Sequence, residues 1–165
     1  MVCKERTLIL IKPDGVKRCL VGRIISRFED SGMKIVGMRL THVPQELAAN
    51  HYTQDIAERR GEHVRNALLS FITSGPVVAL CVEGVNAIEN VRKLVGSTEP
   101  KAALPGTIRG DFTHVSFQQA DHHKKAVANV IHASADKDDA AREVGLWFNE
   151  DELQTYETVH EVLTF

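Results

Sequence analysis

The sequence predicts an α+β fold, a four-stranded antiparallel sheet backed by helices in the split βαβ, ferredoxin-like arrangement. Three observations lead there. Runs of strand length alternate with segments of helical period, their order is β-α-β-β-α-β with extra helices, and no repeat, linker or low-complexity tract divides the chain. At 165 residues roughly 70% of the unfolded surface can be buried, so residues 1–165 are expected to form a single domain.

Residues 7–11 are β-branched and apolar and close on Pro13, Asp14 and Gly15, a turn signal, which reads as a buried strand. Leu20, Ile24, Ile25 and Phe28 follow helical spacing until Ser31 and Gly32 stop it. Residues 34–43 alternate as a strand, with Ile35, Gly37 and Arg39 opposed to Val36, Met38 and Leu40. Pro44 opens a helix over 45–49, with His51 and Tyr52 on it or just past it. Residues 56–71 carry charge on one side and Val64, Leu68 and Leu69 on the other, a surface helix ending at Ser74, Gly75 and Pro76. The apolar run 77–82 suits a central strand, and 86–95 a helix stopped by Gly96. Residues 97–117 hold Pro100, Pro105, Gly106 and Gly110 without a sustained period, a long loop of the kind that usually carries function. Residues 127–132 read as a strand, and 136–148 as a helix with Ala140, Val144, Leu146 and Trp147 available for burial.

Composition narrows the function. Twenty Lys and Arg face 22 Asp and Glu, a net charge of −2, so no basic field advertises a nucleic-acid or membrane partner. The longest apolar stretches, 8–11 and 76–82, fall far short of the ~20 residues a membrane helix needs. The first residues carry charge of both signs without an apolar leader, which points to the cytoplasm. Cys3, Cys19 and Cys81 are odd in number and lack C-x-x-C spacing, so free thiols are expected.

His132 ends an apolar strand just ahead of a helix, where an imidazole can emerge at a sheet edge and act as a nucleophile. One histidine specifies little, and a capped or core histidine is the commoner occupant of such a place. Glu143, eleven positions on, lies on a helix that folds back and could fix the ring's tautomer. Lys12, Arg92 and Arg109 come from a strand end, a helix and the long loop; brought together they would hold a polyphosphate, and apart they are solvated charges. Standard phosphate-loop, dinucleotide, zinc-protease and serine-hydrolase motifs are absent. His114, His122 and His123, near Asp121, match no standard zinc spacing and read as surface residues.

Four longer segments are more specific. Residues 6–16, 74–78, 105–112 and 129–134 together resemble the nucleoside diphosphate kinase family, a likeness that extends over nearly the whole chain. The resemblance implies transfer of the γ-phosphoryl group of a nucleoside triphosphate to a nucleoside diphosphate, in two half-reactions through a phosphohistidine on His132. By matching position, Lys12, Tyr52, Arg92, Thr98, Arg109 and Asn129 would contact the nucleotide, Glu143 would orient His132, and Ser134 would support Glu143 or cap the following helix. Lys12 and Asn129 would suit ribose hydroxyls, with Lys12 also reaching the transferred phosphate. Arg92, Thr98 and Arg109 would take the β and γ oxygens, and Tyr52 would place its hydroxyl at the phosphate in transit. Magnesium is expected to arrive on the nucleotide's phosphates, with no metal site in the protein itself. A closed homo-oligomer is implied, a hexamer or a tetramer. The chain departs from the family in three places: Ala133 stands for a common Gly, Ala135 for a common Asp, and Val64 aligns with the Phe that stacks on the base. Residues 113–128 form a longer segment than in the short members. Two other classes compete, a nucleotide-binding relative without turnover and an RNA- or small-molecule-binding ferredoxin-like domain. The first would be expected to have lost a member of the set His132, Glu143, Lys12, Arg92 and Arg109, and none is lost. The second is disfavoured by nine aromatics, net negative charge and no paired strand aromatics.

Overall fold

The computed structural model describes residues 4–164, so Cys3 lies outside the described residues. Strands β1 (Lys4–Ile11), β2 (Lys34–His42), β3 (Pro76–Val85) and β4 (Ile131–Ala133) form one antiparallel sheet in the order β2-β3-β1-β4, the expected architecture. In chain order the helices are α1 (Pro13–Lys17), α2 (Val21–Glu29), α3 (Gln45–His51), α4 (Gln54–Arg60), α5 (Glu62–Ile72), α6 (Ala87–Val95), α7 (Ile108–Phe112), α8 (Phe117–His122), α9 (Lys137–Trp147) and α10 (Val159–Thr164). Among the described residues no helix is long and apolar enough to cross a membrane.

Strand parity divides the core. Successive side chains of β1 point to opposite faces, so Ile9 and Ile11 join Ile24 and Phe28 of α2 and Val91 and Val95 of α6. Leu8 and Leu10 instead pack with Ala48 of α3, Ile72 of α5 and Trp147 of α9. β4 pairs with β1 so that His132 stands opposite Leu10, on the second face, while Ile131 and Ala133 fill the first core. Lys12, two residues beyond Leu10, continues that same face, and this register brings the two polar side chains to one end of the sheet.

Several local expectations are corrected. Residues 13–15 do not form a simple turn but open α1, where Pro13 needs no backbone donor. The single helix over 56–71 is two helices broken at Gly61, whose φ of +97° no ordinary side chain adopts comfortably. The alternation of 34–43 is interrupted by a bulge between Ile35 and Gly37; Val36 and Gly37 are both buried, and a Cβ at Gly37 would press on Phe148 and Leu153. The loop over 97–117 contains a 3-10 turn at Pro100–Ala102, α7 and the first residue of α8. The strand over 127–132 shrinks to Ile131–Ala133, because Val130 takes φ +59°, a left-handed conformation costly for a β-branched residue. Val130 is held there by its N–H donating to Asp14 Oδ2 (3.0 Å) and its carbonyl accepting from the Lys12 N–H (2.9 Å). Asp136 rather than Ser134 caps α9, its side chain accepting from the Asp139 N–H at 2.9 Å.

The chain's last part returns to the sheet. Glu161 on α10 pairs with Lys34 (3.1 Å) and Lys4 (2.7 Å), Lys34 also with Glu83 (2.8 Å), and Glu83 with Arg6 (2.8 Å).

Candidate active site

His132 keeps about a fifth of its side chain exposed at the floor of a cavity of about 820 Å³, within the usual range for small-ligand sites. Its Nε2 lies 2.9 Å from Glu143 Oε2. The same carboxylate oxygen accepts the Ser134 hydroxyl at 2.7 Å, and Ser134 Oγ accepts the backbone N–H of Leu8 at 3.3 Å. A line of hydrogen bonds thus runs from the central strand to the imidazole. Burial raises the Glu143 pKa, but the hydrogen bond and charge of His132, with His51 and the Ser134 hydroxyl, outweigh it and hold the value at about 2. An ionised Glu143 accepts from Nε2–H, which leaves the Nδ1 lone pair available for attack.

The cations converge from three elements. Lys12 Nζ donates to Asn129 Oδ1 at 2.7 Å, and Asn129 Nδ2 donates to the Thr98 carbonyl at 2.8 Å. Arg109 is spent largely on structure: Nη2 donates to the Ile131 carbonyl (2.7 Å), Nη1 to that of Gly96 (3.0 Å) and Nε to that of Asn129 (3.4 Å). It ties the nucleophile's strand to the end of α6 while its charge stays beside the cavity. Burial, then Arg109, pull the Lys12 pKa down to about 7 against the opposing pull of Asp14. Burial, with Arg92 nearby, lowers Arg109 to about 10, still charged near neutrality. Such a site is short of negative charge. Arg92 and Thr98 line the same cavity, as does Tyr52, whose buried phenol has its pKa pushed up and stays neutral.

Lys12, Tyr52, Arg92, Thr98, Arg109, Asn129, His132 and Glu143 therefore share one cavity, and Ser134 is fully buried behind it. Val64 does not line it. That side chain faces an adjoining cavity of about 760 Å³, where the break at Gly61 directs α5. Ala133 packs its methyl into the core, so the residue that replaces the family's Gly has a place, and Ala135 lines the mouth. His114, His122 and His123 are exposed, as expected.

His51 is a member that sequence reasoning did not single out. Its ring is buried, 4.6 Å from the His132 ring edge to face, and its Nδ1 accepts the Trp147 indole N–H at 3.3 Å. Burial and the neighbouring His132 lower its pKa to about 3, so it is neutral. The only sequence signal was its helical spacing next to Tyr52. His51, His132 and Glu143 could geometrically group around a metal ion. They suit magnesium poorly, because that ion prefers an octahedron of oxygens, whereas two nitrogens are offered and Glu143 is already engaged.

A nucleophilic imidazole held by a buried carboxylate and faced by uncompensated cations is equipped for phosphoryl transfer. Sequence comparison agrees: the model of the nucleoside diphosphate kinase family matches residues 5–153. The chain belongs to the nucleoside diphosphate kinase family. It is 48% identical over 153 residues to the nucleoside diphosphate kinase of Borreliella burgdorferi, covering 92% of each chain. It is 50% identical over 153 residues to that of Pyrococcus abyssi, covering 93% of this chain and 89% of the relative. Among solved structures it is similar to a transition-state mimic of the Borrelia burgdorferi enzyme with bound vanadate and ADP, with TM-score 0.94, 46% identity and coverage of 97% and 96%. A Halobacterium salinarum nucleoside diphosphate kinase in complex with CDP matches with TM-score 0.84, 38% identity and coverage of 99% of each chain. Membership makes the chain a phosphotransferase.

Proposed function

We propose that this single domain transfers the γ-phosphoryl group of a nucleoside triphosphate, ATP among them, to a nucleoside diphosphate through a phosphohistidine at Nδ1 of His132. The observation that carries the reading is the Glu143 carboxylate on Nε2, which turns the other ring nitrogen into the nucleophile within a cavity lined by Lys12, Arg92 and Arg109.

In the first half-reaction Nδ1 attacks the γ-phosphorus, the N–P bond forms, and the bond to the β–γ bridging oxygen breaks with its electron pair leaving on the departing diphosphate. The Nε2 proton stays on the ring, and Glu143 balances the positive charge the imidazole acquires. In the second half a terminal β oxygen of another nucleoside diphosphate takes the phosphoryl group and Nδ1 regains its lone pair. Lys12, Arg92 and Arg109 stabilise charge on the transferring group, Thr98 and the Tyr52 hydroxyl position it, and Asn129 holds Lys12 and faces the ribose. Magnesium would come with the substrate and add positive charge at its phosphates, beside that of Lys12, Arg92 and Arg109. In support, Asp55 and Asp139 at the cavity mouth are paired with Arg59 and Arg142.

Exposed Met38 and Leu40 on the edge strand β2, and Leu104 in the long loop, support assembly into a closed homo-oligomer, with a hexamer proposed over a tetramer. A cytoplasmic setting is proposed from the free thiols of Cys19 and Cys81. Incubation with γ-labelled ATP and magnesium should give an acid-labile, alkali-stable label that chases onto added nucleoside diphosphate and is absent in His132→Ala. A wild-type protein that takes no label would sink the reading.

A further inference from the structure

In the orientation proposed above, the phosphates of a nucleotide would fill the end of the cavity marked by Lys12, Arg109 and His132, and the base would project toward a different wall. That wall can be located. Leu68, Phe117 and Val127, with Arg59 and Arg60, line both the His132 cavity and the adjoining one, whereas Lys12, Arg109 and His132 line only the first. The boundary between the two cavities is therefore set apart from Lys12, Arg109 and His132, and it combines the apolar side chains of Leu68, Phe117 and Val127 with two arginines.

Phe117 is the one phenylalanine lining the His132 cavity among the described residues. It begins α8, within the longer segment 113–128. The ring is half-buried and firmly based. The Phe117 N–H donates to Glu99 Oε1 at 2.9 Å, Ser116 Oγ accepts from the Gln119 N–H at 3.2 Å, and the Lys101 N–H donates to the Val115 carbonyl at 3.0 Å. These bonds fix the start of α8 to the loop that also presents Thr98. The Arg60 guanidinium at the end of α4 lies 5.2 Å from the Phe117 ring centre and covers one side of the ring.

Resting on the nucleotide orientation proposed above, we propose that Phe117 is the wall on which the nucleobase stacks, backed by Arg60, so that the 113–128 segment supplies the flat surface that Val64 does not. Every base offers a π face, so this wall serves purines and pyrimidines alike, with the larger purines favoured. A base inserted there also touches Leu68 and Val127, which exclude water from its edges.

The test compares two acceptors of the same diphosphate charge, ADP and ribose 5-diphosphate, which lacks the base. Phe117→Ala should raise KM for ADP about tenfold, with the loss confined to the acceptor that carries a base, and Phe117→Trp should restore it. An unchanged KM for ADP would overturn the proposal. An equal rise for both acceptors would also overturn it, because the ring would then act only by supporting the fold. Failure of the underlying reading looks different: wild-type protein would then pass phosphate to neither acceptor.

Discussion

The two ends of β1 hold two groups of buried charge built on opposite plans. At its N-terminal end Lys34, only 6% exposed, is met by Glu83 and Glu161, which are met in turn by Arg6 and Lys4; each charge finds its counter-charge within the protein. At its C-terminal end Lys12, 5% exposed, has the neutral Asn129 amide as its hydrogen-bond partner and the guanidinium of Arg109 close enough to oppose its proton. The pKa values record the contrast. Burial lowers both lysines, but the carboxylates of Glu83 and Glu161 reverse the effect at Lys34 and leave it raised, while Lys12 falls to about 7. A network that neutralises itself fastens the chain; one in which burial and a neighbouring cation outweigh the single carboxylate of Asp14 is suited to an anionic ligand.

Replacing the cation at each end separates these plans most sharply. Lys12→Met should slow phosphoryl transfer by about 10³-fold, the cost of one electrostatic donor to the transferring group, yet leave the unliganded fold as stable or about 1 kcal/mol more so. Single-turnover labelling of His132 and thermal unfolding of the same sample check both halves. Lys34→Met should do the reverse, destabilising the fold by about 2 kcal/mol because two carboxylates lose their shared partner, while His132 labels at the wild-type rate. That figure is below the loss for a fully buried pair, since Lys4 and Arg6 remain partly wet and still attend the carboxylates.

The pH dependence has opposite signs at the two ends. Between about 7 and the ordinary lysine value of 10.5, unfolded Lys12 binds more protons than folded Lys12, so its contribution to stability improves as pH rises through that window. Lys34 has a raised folded value, so its contribution is whole below 10.5 and is lost as pH climbs past it. The smallest effect is the most specific. At pH 8 an approaching diphosphate should recharge Lys12, so binding takes up to about one proton per site. Calorimetry of ADP binding in buffers of different ionisation enthalpy measures the uptake, which Lys12→Met should abolish.

The legible parts of the molecule are those set by local pattern. The apolar run of β1, the helical spacing of Ile24 and Phe28 and the stop at Gly96 each act within a few residues, and they survive in the structure. The proposed catalytic set could be assembled from the sequence only as a whole, because Lys12, Arg109 and Glu143 mean little until strand register and helix return bring them into one cavity with His132. What escaped depends on tertiary closure. Nothing near Val130 in sequence announces a left-handed backbone; Asp14 and Lys12, more than a hundred positions earlier, impose it. His51 acquires its neutral state from burial and from the neighbouring His132, and Lys34 meets Glu161 only because α10 returns to the sheet. The placement of Val64 outside the His132 cavity follows from Gly61, where a periodic pattern concealed a break.

β4 has one further consequence. It is three residues long, and its middle residue is His132, the proposed nucleophile. Slipping its pairing by a single step would turn the imidazole into the opposite hydrophobic layer, so a misregistered chain is silent however native it looks otherwise. During renaturation, the return of label-accepting molecules is therefore a clock for the docking of this one short strand.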